Sequence, residues 1–392
     1  MVKNRVSMEG SLAVAEAAKL ARTDVVAAYP ITPQTHIVER LAQLVADGEL
    51  DANYIPVESE HSAMSACLGS SAVGARTFTA TAGQGLELMH EVLFVASSSR
   101  LPIVMVVANR ALSGPLSVWG DHSDVMAARD CGWIQIFAEN VQQAFDLVIC
   151  AFRIGEDPTV LFPVMVNIDG FHLSHVIEPL YLLCQEEVDK FLPPYKYPYA
   201  LNPDKPVSIG AFGMPNIYTE AKKSQDMALR ASKNVILKTW QEFGKLSGRN
   251  YLPVETYKVE DAEVLLLTMG SFSETAMIAI DALRERGEKV GLIRLRLWRP
   301  FPLEEFQKAV AKAKLIIVLD RALSFGRPTG PVCSEVQAAL YPLKTKPEIV
   351  SFVGGLGGRD ISAATFENII RNGMEKAKSG RFDELEMIEV RQ

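Results

Sequence analysis

A chain of 392 residues is long enough for two or three domains, each burying its own core. With 48% hydrophobic and 22% charged residues it has an ordinary globular composition, and a net charge of -7 with no Lys/Arg-rich run argues against a nucleic-acid binder. The longest apolar runs, such as Pro102 to Ala108 and Thr159 to Val166, are strand length and too short for membrane insertion. The start, Met1-Val2-Lys3-Asn4-Arg5, leads into a charged helix and not an unbroken apolar run, so no signal peptide and a cytoplasmic location are expected.

In chain order, a helix is predicted over 11–21 and a strand at Val25 to Tyr29, stopped by Pro30 and Pro33. Ile37, Leu41, Leu44 and Val45 then recur at helical spacing up to Gly48. A short strand at 54–57 precedes a helix of small residues over 61–74, suited to close packing on a sheet. Further strands read at 77–81, 103–108, 133–138 and 160–166, with helices at 86–95 and 141–154. Strands alternating with helices of this length imply a mostly parallel, doubly wound sheet covered on both faces. Between Phe171 and Pro215 the periodicity collapses into a Pro/Tyr-rich connector, Leu192-Pro-Pro-Tyr-Lys-Tyr-Pro-Tyr199, read as a linker or an arm on a neighbouring subunit. An exposed amphipathic helix over 219–245 follows. A second α/β unit is expected from strands at 263–268, 289–297 and 315–320 with helices at 273–287 and 303–313. The division is therefore 1–170, connector and helix 171–257, and 258–392: an α/β protein of two doubly wound, mostly parallel sheets.

Cys67, Cys131, Cys150, Cys184 and Cys333 are scattered without a Cys-x-x-Cys pair, and the six histidines lack metal-ligand spacing. No metal is therefore assigned to this chain. Four stretches fall just beyond strand carboxyl ends, where open α/β sheets place their sites. They are Tyr29-Pro-Ile-Thr-Pro-Gln-Thr35, Val57-Glu-Ser-Glu-His61, Thr79-Ala-Thr-Ala-Gly-Gln-Gly85, and Ala108-Asn-Arg-Ala111 leading to Gly120-Asp-His-Ser-Asp124. Singly, each reads as readily as turn chemistry as it does as a site, and Glu60 as a carboxylate that merely suits a helix dipole. Arg110 could instead pair with Asp121 or Asp124, and the acids of 121–124 could form a cation loop. Gly354-Gly-Leu-Gly-Gly358 reads as a tight turn more readily than as a phosphate cradle. Gly270-Ser271, with Ser273 at the next helix start, could hold an anion, although packing or a subunit contact is the plainer use.

Taken together, Tyr-Pro-Ile-Thr-Pro, Glu-Ser-Glu, Phe-Thr-Ala-Thr-Ala-Gly-Gln-Gly-Leu and Asn-Arg-Ala-Leu-Ser with Gly-Asp-His-Ser-Asp resemble the α subunit of 2-oxoacid:ferredoxin oxidoreductases. Leu295-Arg-Leu-Trp-Arg-Pro-Phe-Pro302 is similar to that family's transketolase C-terminal-like domain. The resemblance implies a pyrimidine-type domain for thiamine diphosphate, shared with a partner subunit. Glu60 matches the carboxylate that binds the pyrimidine N1′, with Glu58 second, and Thr32 and Arg110 match substrate-binding residues. Pro30, Gln84 and Gly85 join Glu60 as cofactor-binding candidates. An acid is needed there because a proton shared at N1′ makes the neighbouring amino group a base. Arginine suits a substrate carboxylate because its planar fork binds bidentately. No Gly-Asp-Gly…Asn segment is present, so Mg2+ and iron–sulfur clusters are expected on partner chains. Those partners are a thiamine-diphosphate-binding β subunit, a γ subunit and a ferredoxin-like subunit, with external ferredoxin or a similar acceptor taking the electrons. The implied reaction is oxidative decarboxylation of a 2-oxo acid with acyl transfer to coenzyme A. Pyruvate is the first-choice substrate. A branched-chain or aryl acid is the alternative, and a non-catalytic scaffold is the rival from another class.

Overall fold

The computed structural model describes residues 4–380 and 385–391. Two large sheets organise it. The first has seven strands in the spatial order Leu297–Arg299, Ile134–Phe137, Val164–Asp169, Ile103–Asn109, Thr77–Thr81, Val25–Ala28, Asn53–Pro56. All pairs are parallel except the Leu297–Arg299 edge. Its central strands are buried throughout, as parallel strands covered on both faces must be. Helices Gly10–Leu20 and Val141–Gly155 pack together over one face, and Glu60–Ala72 with His90–Ser98 cover the other. The second sheet runs Glu386–Met387, Glu348–Val353, Leu315–Asp320, Val264–Thr268, Val290–Leu295, Val254–Tyr257, with only the last strand antiparallel.

Several expectations are corrected. The chain start leads into a strand, Asn4–Glu9, pairing antiparallel with Ile177–Leu182. Val6 faces Leu180, whose side chain is fully buried, while Arg5 and Ser7 are exposed, the alternation of a half-buried strand. The connector folds back on its own domain. It supplies that strand, the helix Gln185–Phe191 and two tyrosines, Tyr195 and Tyr197, that pack on the first core, and only 202–214 is wholly exposed. The long helix spans Pro215–Ser247, beginning with Pro at its first turn and ending at Gly248 in the left-handed region. Its second half is not exposed: Ile236, Trp240 and Phe243 enter the first core. The strand expected at 289–297 is two strands in different sheets. Arg296, buried between them, donates to Leu252 O at 2.8 Å and Glu255 Oε1 at 2.6 Å. No described helix is long and apolar enough to cross a membrane.

Candidate active site

Every parallel strand of the first sheet ends on one edge, so the four motif stretches meet there. Ser59 caps the helix Glu60–Ala72 by accepting from Ser62 N at 3.2 Å, which puts Glu60 in the first helical position. Glu60 is 6% exposed, and among the described residues nothing donates to its carboxylate. A Cβ on Gly85 would lie 2.7 Å from Glu60 Oε1 and 2.5 Å from Thr81 Oγ1, so glycine makes the room that this carboxylate occupies. Thr81 Oγ1 and Gln84 Oε1 are likewise buried without a partner. Buried polar atoms ordinarily find hydrogen bonds, so the unmet Thr81 hydroxyl beside an unpaired carboxylate fits a polar, proton-bearing ligand. Glu58 differs. It is exposed, and the Ser62 hydroxyl donates to it, which holds its carboxyl below the ordinary range.

Arg110 begins where the Ile103–Asn109 strand ends. Its Nε donates to Ser117 O at 2.8 Å and its Nη1 to Thr32 O at 3.0 Å, leaving Nη2 without a hydrogen-bond partner among the described residues. Burial lowers its pKa, opposed by the carboxylates of Asp124 and Glu60. The alternative ion pair does not form. Asp124 accepts the backbone N–H of Arg110, and Asp121 accepts from Ser123 and from Gly357 N. Those same donors occupy the acids that suggested a cation loop. Thr32 is exposed, and it is its carbonyl that meets Arg110. Pro30 is exposed on the same loop. Gln34, fully buried, donates to Ala80 O at 2.7 Å and accepts from Ile31 N at 3.2 Å, tying the Tyr29–Thr35 loop to the Thr77–Thr81 strand.

The edge of the second sheet faces this one. Asp169, closing the Val164–Asp169 strand, accepts from Ser271 N and Oγ, both at 2.6 Å, from Arg321, and at 2.8 Å from His122 Nε2. Desolvation alone would raise the Asp169 pKa, but Arg321 and His122 outweigh it and hold the carboxyl far below its usual range. The Gly270-Ser271 turn thus does hold an anion, and the anion is a side chain of the other unit. The 354–358 glycine run is a docking turn: Gly358 N donates to Gly120 O at 2.7 Å, and a Cβ there would strike Trp119. Sequence spacing also hides a convergence of Glu9, His36 and His175. Glu9 Oε1 takes His36 Nδ1 at 2.7 Å and Ser174 Oγ meets His175 Nδ1 at 2.7 Å, so hydrogen bonds account for that cluster.

Residues 16–240 match the family model described as pyruvate flavodoxin/ferredoxin oxidoreductase, thiamine diP-bdg, and residues 262–366 match pyruvate:ferredoxin oxidoreductase core domain II. The chain belongs to this family. It is similar to the pyruvate synthase subunit PorA of Methanothermobacter thermautotrophicus, 50% identical and covering 92% of each chain. It is also 48% identical to PorA of Thermotoga maritima, covering 97% of this chain and 96% of that one. The ketoisovalerate oxidoreductase subunit VorA of Pyrococcus horikoshii is 46% identical over 96% of this chain and 95% of its own. Among solved structures, the 2-oxoglutarate:ferredoxin oxidoreductase of Magnetococcus marinus matches at TM-score 0.74 and 23% identity, covering 95% of this chain and 66% of that one. A split-gene transketolase matches at TM-score 0.56 and 12% identity, covering 93% and 96%, a likeness of fold. The protein is an α-type subunit of a 2-oxoacid:ferredoxin oxidoreductase and carries that family's thiamine-diphosphate-binding domain.

Proposed function

We propose that this subunit supplies Glu60 to the pyrimidine ring of thiamine diphosphate and Arg110 to the carboxylate of pyruvate. The observation carrying this is the buried Glu60 carboxylate, without a donor among the described residues and beside a glycine that makes room for it. Thiamine diphosphate, when bound, supplies the carbon that adds to the substrate carbonyl and takes up the electrons left by decarboxylation. Glu60 holds a proton at the pyrimidine nitrogen, and its burial strengthens that hydrogen bond. Gln84 Oε1 and Thr81 Oγ1 offer further contacts to the ring. Arg110, pinned through Nε and Nη1, turns a pre-set Nη2 toward the substrate carboxylate, with Thr32 at the rim. The diphosphate with Mg2+, the iron–sulfur clusters and the exit to ferredoxin fall to β, γ and ferredoxin-like partner subunits. Dispersed cysteines support this, as does the exposed apolar surface at Leu88, Phe94 and Val95 on the helices that follow the Thr79–Gly85 stretch. Coenzyme A accepts the acyl group, in keeping with the coenzyme A and succinyl-CoA bound in the Magnetococcus marinus relative.

A branched-chain 2-oxo acid is the second reading, favoured by the VorA likeness, since PorA relatives at 43–50% bracket VorA at 46%. The test is kcat/KM for pyruvate, 2-oxoisovalerate and phenylglyoxylate in the assembled complex. Pyruvate is expected to be preferred. Arg110→Ala should lower kcat/KM for all three by roughly ten- to a hundredfold, the worth of a charged hydrogen bond, with Arg110→Lys intermediate and Thr32→Ala milder. Arg110→Ala with unchanged kcat/KM on every substrate would place the carboxylate anchor elsewhere.

A further inference from the structure

We propose that Asp124 is the positioning residue that ties Arg110 to the Gly83–Gly85 turn and so sets the spacing between the substrate anchor and the Glu60 pocket; this rests on the reading of those two residues given above. The strands Thr77–Thr81 and Ile103–Asn109 are neighbours whose pairing stops at Thr81 and Val107. Beyond that point the backbone N–H groups of Gly83 and Arg110 have no strand to donate to. One oxygen serves both: Asp124 Oδ2 accepts from Gly83 N at 3.0 Å and from Arg110 N at 2.9 Å. Its Oδ1 accepts from Asn109 Nδ2 at 3.1 Å and from Val125 N at 2.7 Å. Asp124 is fully buried, so water cannot replace these contacts.

The consequences run into both halves of the site. Gly83 has φ +47° and ψ -120°, and the Arg110 side chain lies across it, 3.0 Å from where a Cβ would stand. Two residues on, Gly85 borders the Glu60 carboxylate. A shift of Asp124 therefore moves the anchor and the proton-holding pocket together. The loop before Asp124 is also held from the second unit, with His122 N donating to Arg321 O at 2.8 Å. Docking of the second sheet thus bears on the loop that carries this carboxylate.

The experiment compares Asp124→Asn with Asp320→Asn in the assembled complex. Asp320 is an equally buried carboxylate accepting two backbone N–H groups, from Val332 and Cys333, in the other sheet. Both variants should melt at lower temperature. Only Asp124→Asn should speed amide hydrogen exchange at Gly83 and Arg110, measured without thiamine diphosphate, and lower kcat/KM for pyruvate by roughly tenfold or more. In an Arg110→Ala background, Asp124→Asn should lower kcat/KM less than it does alone, because part of its effect passes through Arg110. Unchanged exchange at both amides, an equal kinetic loss in Asp320→Asn, or full additivity with Arg110→Ala would overturn the proposal. If Asp124→Asn fails to assemble, Asn109→Ala, which removes one donor to Asp124, must give the same pattern at smaller amplitude. Failure of the site reading is separately visible: Arg110→Ala alone would be harmless, while the exchange comparison would still decide whether Asp124 ties the two strand ends.

Discussion

Gly85→Ala isolates the space that Glu60 needs. Gly85 lies in the short helix Gln84–Leu88, where alanine is intrinsically better than glycine by roughly 0.5–1 kcal/mol. The added methyl would stand 2.5 Å from Thr81 Oγ1 and 2.7 Å from Glu60 Oε1, well inside contact distance. Overpacking of this kind costs typically about 1–3 kcal/mol, so the helix gain is offset and the melting temperature should fall slightly. The functional effect is larger, because the atom that must move is the carboxylate oxygen itself. Loss of a hydrogen bond to a charged group, about 1.5–3 kcal/mol, weakens thiamine diphosphate binding roughly ten- to a hundredfold. A displaced acid–base group lowers turnover by about 10²–10⁴-fold. The control is Gly69→Ala in the helix that carries Glu60, where nothing lies within 4 Å of the new methyl. It should stabilise by roughly 0.5–1 kcal/mol and leave the cofactor alone. Calorimetric titration of thiamine diphosphate into the assembled complex, with turnover on pyruvate, reads both variants. Wild-type affinity and turnover in Gly85→Ala would refute the argument.

Arg321→Ala leaves Asp169 buried without its main counter-charge and should cost about 3–5 kcal/mol in denaturant unfolding; a loss below about 1 kcal/mol would contradict the clamp between the two sheets. Burial raises the Asp320 carboxyl from its ordinary 3.8 to about 7, against the two backbone N–H groups that lower it. The folded protein therefore binds a proton between about pH 4 and 7 that the unfolded chain does not, so this group's contribution to stability is greatest at low pH and declines as pH rises through that window. Asp320→Asn should make the melting temperature less dependent on pH over that range, and parallel curves for wild type and variant would remove Asp320 as the cause.

What the sequence made legible was local. Alternating strands and helices, with turn residues at strand ends, placed Glu60, Thr32, Arg110 and Gly85 on one edge, because parallel α/β topology allows few other positions. The structure separates the two carboxylates, because the cap at Ser59 turns Glu60 inward and leaves Glu58 in solvent. What stayed hidden was long-range. Asp169, Ser271 and Arg321 are separated by more than 100 residues in the first step, and nothing in local periodicity says that a Gly-Ser turn in one unit will close on a carboxylate of the other. The strand Leu297–Arg299 is short, and it and Asn4–Glu9 each pair with a partner far along the chain. The long helix looked solvent-facing because its first half is polar, while Trp240 and Phe243 near its end bury against the first core.

The central claim is that Glu60 is the acid that serves the thiamine ring, and Glu60→Gln tests it most directly. The substitution keeps size and removes the carboxylate, so the assembled complex should retain its other cofactors. Exchange of the thiamine C2 proton, followed by NMR after acid quench, should slow by about 10²–10⁴-fold, while Glu58→Gln exchanges at the wild-type rate. Wild-type exchange in Glu60→Gln, or a comparable loss in Glu58→Gln, would contradict the account.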